Sequence, residues 1–201
     1  DITERREAEE ALRRSERRLT QAVQASNTGI FEHDHASNVV YCSPEHRAMN
    51  GWSADEPIAV ADIVAATLAE DRDRLGAAIV RTHDPAGDGV LDIEHRIRRP
   101  DGALRWLSVR AQTFFEGEGS ERHPVRTVGG VVDITERREA EEALRRSESS
   151  YRTLFETMNQ GVVTHDRSGA IVDANPAAQA ILGLSLDQMQ GRTPMDPRWR
   201  T

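Results

Sequence analysis

Seven histidines and a single cysteine are the side chains with the widest chemical latitude in this 201-residue chain. Three of the histidines precede an aspartate, at His33-Asp34, His83-Asp84 and His165-Asp166, a pairing that elsewhere holds a metal over an activated water. Here the three fall at a strand end, in a loop and at a second strand end, so they are not expected to converge. His33 and His35 could share one strand face, with His46 close in sequence, and a metal site can be drawn. The turn, however, is expected to begin at His35 and break that face, and the position 132 residues later is Arg167, so no metal is assigned. Cys42 precedes the Ser43-Pro44 helix start and reads as a small buried residue. Glu10-Ala11-Leu12 and Glu142-Ala143-Leu144 spell a phosphodiesterase signature, but they lie in charged helices with no metal cluster around them. All 26 basic residues are arginine. That removes the P-loop, kinase and Schiff-base lysines, and no catalytic residue is assigned.

Composition narrows the classes further. The net charge of −8, with no isolated basic run, gives no electrostatic footprint for nucleic acid. One cysteine excludes an intrachain disulfide framework and suits a reducing cytoplasm. No apolar stretch approaches the roughly 20 residues that a membrane helix needs, so no membrane contact is expected. The arginine bias suggests a high-GC bacterial source. The chain opens at Asp1 and stops inside a second copy of a repeat, and it is expected to be a piece of a longer protein.

That repeat organises the elements. Residues 1–16 recur letter for letter at 133–148, an offset of 132, and the likeness continues through Gly29/Gly161, Pro44/Pro176 and Gly51/Gly183. The repeated segment is a charged helix. Within it Ala8, Leu12, Ser15 and Leu19, and again Ala140, Leu144, Ser147 and Tyr151, stand 4, 3 and 4 residues apart, a spacing that the second copy carries on to Met158. This is a heptad seam with small and polar members. A solvated spacer helix would show much the same composition, but the spacing favours a parallel homodimer held weakly enough to shift.

Between the joints, residues 29–34 and 39–42 read as strands around a polar turn. Ser43 and Asn175 read as helix caps ahead of proline, and residues 61–66 and 70–82 as helices. The period then changes to two: Leu91, Ile93, His95 and Ile97 alternate with charged residues, Arg99-Pro100-Asp101-Gly102 makes a turn, and Leu104 to Phe115 returns. Val125 to Val132 supplies a last strand that runs into the next joint. The class is α+β, a five-stranded antiparallel sheet with helices on one face, flanked by coiled-coil helices.

The DRDRL helix, the EHRIRRPDG…RW hairpin and the closing GGVVDITERREAE, in this order, resemble the PAS sensor family, and GVVTHD, DANPAA and ILGLS resemble the first half of a second copy. The resemblance implies the end of an upstream PAS domain and a linker helix at 1–18, a complete PAS domain at 19–136, a linker helix at 137–150 and a truncated second PAS domain at 151–201. It implies strand order two-one-five-four-three, a ligand pocket or a plain contact surface between sheet and helices, and output through the terminal helix. The hand-over falls on Asp133, Ile134, Thr135 and Glu136. His95, with Ile93 and Leu107, would face the pocket, although a core histidine satisfied by one hydrogen bond is the blander reading of His95. The cofactor stays unknown. Histidine-ligated haem is disfavoured because Glu70–Thr82 holds no histidine, and covalent flavin because Cys42 lies outside an Asn-Cys-Arg-Phe-Leu-Gln stretch. The expected role is a cytoplasmic sensory and dimerisation module of a bacterial signalling protein. Its output domain, in the same parent chain, would be a histidine kinase, or alternatively a diguanylate cyclase or phosphodiesterase. A ligand-free structural relay remains a third reading.

Overall fold

A computed structural model describes residues 2–193, 196 and 197; in the first helix the side chains at 2–5, 7, 8, 12, 15, 16, 19, 20 and 24 stand outside that description. The first copy of the seam, Ala8, Leu12, Ser15 and Leu19, therefore lies outside the described residues. The chain divides into two compact units, Asp1–Arg138 and Glu139–Thr201.

The first unit opens with α1 (Ile2–Ala25) and continues with β1 (Gly29–Asp34), β2 (Val39–Cys42), α2 (Pro44–Asn50), α3 (Val60–Ala66), α4 (Ala69–Thr82), β3 (Val90–Arg98), β4 (Leu104–Glu116) and β5 (His123–Asp133). The five strands form one antiparallel sheet in the order β2-β1-β5-β4-β3, as the resemblance implied. Alternation decides which face is covered: Leu91, Ile93, His95 and Ile97 are buried on β3 while Asp92 is exposed. The core joins these to Met49, Leu75, Ala78, Leu107, Val109 and Val131.

Two local devices set the helices over that face. Ser43 Oγ accepts from His46 N at 3.4 Å as an N-cap and from Ile30 N at 3.0 Å, so one hydroxyl ties α2 to β1. Gly29 lets them touch, since a Cβ there would sit 2.7 Å from His46 Cα. At the other side β3 is a sheet edge, and the start of α4 covers it. Leu68 N donates to Arg96 O at 2.9 Å, and Asp71 Oδ2 accepts from Arg96 N at 2.9 Å.

Gly129 lies mid-sheet on β5, opposite Phe31 and Ala111. A Cβ would meet Ala111 Cβ and Phe31 Cε1 at 2.6 Å and the Arg110 carbonyl at 2.7 Å. Gly129→Val is expected to lower the unfolding free energy by about 1–3 kcal/mol, the usual range for overpacking. A lower urea midpoint at unchanged m-value would register it.

The second unit takes over within α5 (Thr135–Thr157) and adds β6 (Val163–His165), β7 (Ile171–Ala174), α6 (Pro176–Leu182) and α7 (Leu186–Met189). It repeats the contact that ties α2 to β1 in the first unit. Asn175 Oδ1 accepts from Ala178 N at 2.8 Å and from Val162 N at 2.9 Å, where Ser43 serves His46 and Ile30 132 residues earlier. Gly51 and Gly183 close α2 and α6 in the left-handed region, at φ 73 and 66. β6 pairs with β7, and Ile171, Ala174, Ala178 and Met189 form this unit's core.

Candidate functional site

Between the sheet and helices α2 to α4 of the first unit lies a cavity of about 70 Å³. Its walls are mostly apolar, with Phe31, Leu75, Leu107, Val109 and Val131 among them, and polar groups enter from His33, His46, Asn50, Thr82, His83, His95 and Thr127. Of the three expected pocket residues, His95 and Leu107 line it. Ile93 shares their face of the sheet but packs into the core instead.

His46 and His95 are 4% and 2% exposed, and Nδ1 of each has no hydrogen-bond partner among the described residues. Leaving such a group unanswered costs about 1–3 kcal/mol, so the blander reading of His95, a ring satisfied by one bond, does not account for that nitrogen. Burial pushes both rings down to about 4. Arg47 and His95 lower His46 further, while for His95 the pull of Asp71 is opposed by Arg74. Both rings are therefore neutral at physiological pH. Both side chains line the cavity, where a neutral imidazole can donate to or accept from a small polar molecule through one ring nitrogen. Cys42 is buried and its thiol is pushed up to about 11 by burial, which leaves it protonated and inert.

A second group of histidines corrects the sequence reading. His35 does not leave the face of His33, because its N–H donates to Val125 O at 3.0 Å and prolongs the β1–β5 pairing by one residue. The two rings lie 4.3 Å apart, centroid to centroid, and His83, the residue that ends α4, brings its ring to 4.5 Å from His35 and 6.2 Å from His33. One nitrogen from each lies within 4.8 Å of the others. The first two His-Asp pairs thus do converge through their histidines. Their aspartates stay in local turns, Asp34 on Ser37 and Asp84 on Ala86. Burial, then His33 and His83, hold His35 at about 4; burial, then His33, lowers His83. The sequence signal for His83 was present, since the apolar stripe Leu75, Ala78, Ile79, Thr82 reaches residue 83 when extended by four from Ile79.

The hand-over residues form a knot where β5 becomes α5. Asp133 Oδ1 accepts from Thr135 N at 2.9 Å and from the Thr135 hydroxyl. Thr135 Oγ1 in turn accepts from Trp106 N at 2.9 Å, and Ile134 N donates to Trp106 O at 2.9 Å. Ile134 is buried and Glu136 is exposed. Sequence reasoning missed the next turn. Arg137 donates to Glu94 Oε1 at 2.9 Å and Arg138 to Glu94 Oε2, and these two guanidinium groups, Arg138 foremost, hold the Glu94 carboxyl below its usual range. Trp106 lies beneath Arg138 and Arg96, 5.2 and 5.5 Å from its ring centre. Arg96 grips Asp71 of α4 through two nitrogens, at 2.9 and 3.0 Å, and keeps that carboxyl well below the carboxylate range. A chain of contacts, two ion pairs joined through the Trp106 ring, therefore runs from the cavity-lining helix α4 to the first turn of α5.

Farther along α5, in the second unit, Ala140, Leu144, Ser147 and Tyr151 are all exposed. Leu144 is 62% accessible, Tyr151 58% and Leu154 59%, and Tyr151 stacks on Phe155 at 5.8 Å. The 4-3 stripe is an exposed ridge within the single chain, apolar at Leu144, Tyr151 and Leu154 and interrupted by the small Ala140 and polar Ser147. Among the described residues no helix is long and apolar enough to cross a membrane.

Comparison with known proteins agrees with this geometry. A family model described as a PAS fold matches residues 39–129, and another described as a PAS domain matches residues 149–200. The non-motile and phage-resistance protein of Caulobacter vibrioides is 30% identical over 172 residues, 85% of this chain and 20% of that protein. The blue-light-activated histidine kinase of Brucella anthropi is 32% identical over 142 residues, 69% of this chain and 27% of that one. The chain thus spans about a quarter or less of the length of these relatives. A crystal structure of a sensory box histidine kinase/response regulator from Burkholderia thailandensis E264 superposes with a TM-score of 0.56 at 27% identity, covering 68% of this chain and 99% of that one.

Proposed function

Since the chain belongs to the PAS domain family, we propose that it is the sensory and dimerisation module of a bacterial multidomain signalling protein, and that it relays a change in its cavity to an output domain through α5. One observation carries this reading. A cavity lined by two buried, neutral imidazoles, His46 and His95, lies under a sheet whose last strand passes directly into a capped helix, Asp133 to Thr135, and that helix's first turn is tied back to β3 through Glu94. An occupant that hydrogen-bonds His46 or His95 would reposition α2 or β3, and β3 carries both Glu94 and Arg96. The names of the relatives favour a histidine kinase as the output, with a diguanylate cyclase or phosphodiesterase as the alternative. The exposed ridge on α5 supports a parallel homodimer, and the want of a spanning helix among the described residues supports a cytoplasmic setting.

The size of the cavity favours one second reading. About 70 Å³ is room for a few waters rather than the several hundred Å³ of ordinary ligand pockets. The competing reading is a relay with no ligand. Native mass spectrometry of the undenatured chain, joined to an absorption spectrum, separates the two. A dimer carrying a small non-covalent adduct that His95→Phe removes is the expected result. A dimer of bare polypeptide mass would establish the relay, and a monomer carrying no adduct would sink both.

A further inference from the structure

We propose that His33, His35 and His83 form a three-imidazole site for a divalent transition metal of the zinc class, at the end of the cavity where β1 and α4 meet. The proposal does not depend on the sensory reading. Its first support is convergence: residues from a strand, from the turn after it and from the end of a helix some 48 positions away each bring one nitrogen within 4.8 Å of the other two. A tetrahedral ion about 2.0–2.1 Å from each nitrogen holds them roughly 3.4 Å apart, so ring rotations of about 1 Å close the site.

The second support is the outer hydrogen bonding. Metal-bound histidines characteristically donate their other ring N–H to an oxygen, which fixes tautomer and orientation. His33 Nε2 lies 3.0 Å from Asn38 Oδ1, an oxygen that only accepts, so the ring proton resides there and Nδ1 keeps its lone pair. His35 Nε2 lies 2.9 Å from Thr127 Oγ1, which is itself 2.8 Å from Thr113 Oγ1. In the metal-binding tautomer the His35 ring N–H donates to the buried Thr127 hydroxyl, which can donate in turn to Thr113 Oγ1. Asn38 holds a left-handed backbone, φ 54, to place its amide in this turn.

Ligand type selects the ion. Three imidazoles without thiolate or carboxylate suit zinc, copper(II) or nickel and reject magnesium and calcium, which demand oxygen. Both neighbouring carboxylates, Asp34 and Asp84, are engaged in their own turns. Because His33 and His83 also line the cavity, a fourth coordination position would face its interior, open to water or to a small anion.

The test titrates the untagged chain with Zn²⁺ alone and, in parallel, with Co²⁺. One ion per chain at micromolar affinity or tighter is expected, together with the visible d–d bands of tetrahedral cobalt. His83→Gln and His35→Gln should each weaken binding at least tenfold and abolish the bands, while His165→Gln, on the second unit, changes neither. Binding that survives undiminished in both variants, or the lack of stoichiometric binding in the wild type, overturns the site. Should either variant misfold by circular dichroism, the zinc X-ray absorption edge of the wild type decides. Three imidazole nitrogens at about 2.0 Å support the proposal, and fewer than three refute it.

Discussion

Between pH 6.5 and pH 4 the first unit is expected to lose several kilocalories per mole of stability, and His46 and His95 are the cause. Each ring titrates near 6.5 when unfolded and is pushed down to about 4 by burial in the folded unit. Above pH 6.5 both rings are neutral in both states and contribute nothing to the pH dependence. As the pH falls through 6.5 the unfolded chain binds protons that the folded chain refuses, so unfolding becomes progressively easier. Below about 4 both states are protonated and the loss levels off. At 1.36 kcal/mol per pH unit, each ring accounts for about 2 kcal/mol at pH 5 and about 3 kcal/mol at pH 4.

The groups around the two rings settle the net sign. Arg47 and the rings' mutual repulsion act with burial on His46. On His95 the attraction of Asp71 is the one opposing influence, and Arg74 offsets part of it. In the metal-free chain His35 and His83 are shifted the same way and deepen the effect. Asp71 and Glu94 are depressed carboxylates, whose stabilising contribution is present above their unfolded values of 3.8 and 4.5 and is lost only below them. They steepen the acid end without moving the start of the window. Urea midpoints at pH 7.5, 6, 5 and 4.5 measure the slope. His95→Gln should flatten it by about one proton, and a stability independent of pH from 7 to 5 would contradict the assignment.

What was legible in the sequence was local. The switch from mixed periodicity to strict alternation at Leu91 announces a hairpin because a strand's two faces repeat every second residue. Ser43 and Asn175 announce helix starts because a side-chain oxygen can answer an orphan N–H only there. The repeat let each copy check the other, and the order of these pieces carried the family. What was not legible depends on strands and helices meeting across the fold. Glu94 reads as an outward residue of β3, and nothing in its neighbourhood says that Arg137 and Arg138 will arrive above it. The histidine cluster was misread for a definite reason. A turn beginning at His35 is expected to swing it away, but the partner strand β5 supplies one more backbone hydrogen bond, from His35 N to Val125 O, and holds the residue in line.

The seam gives the other large effect. In a parallel two-fold pair, residues 140, 144, 147, 151 and 154 of one α5 face the same residues of its copy, and Leu144 is the largest aliphatic member of the first two heptads. Its side chain is 62% exposed in the single chain, so association would bury it nearly afresh, worth about 1.5–3 kcal/mol for each copy. Leu144→Glu removes both contributions and sets two carboxylates against each other across the axis. A loss of at least about 3 kcal/mol raises the dissociation constant at least 100-fold. The opposite substitution serves as the control. Ser147 occupies the same ridge with a small polar group, so Ser147→Leu should tighten the dimer by a comparable factor if the helices meet in parallel register. Sedimentation equilibrium from low to roughly tens of micromolar chain covers the needed range, since a dimer worth −6 to −7 kcal/mol still registers at its upper end. A wild-type chain that stays monomeric there, or a Leu144→Glu chain that dimerises as well as the wild type, would remove the seam as the element that joins two copies.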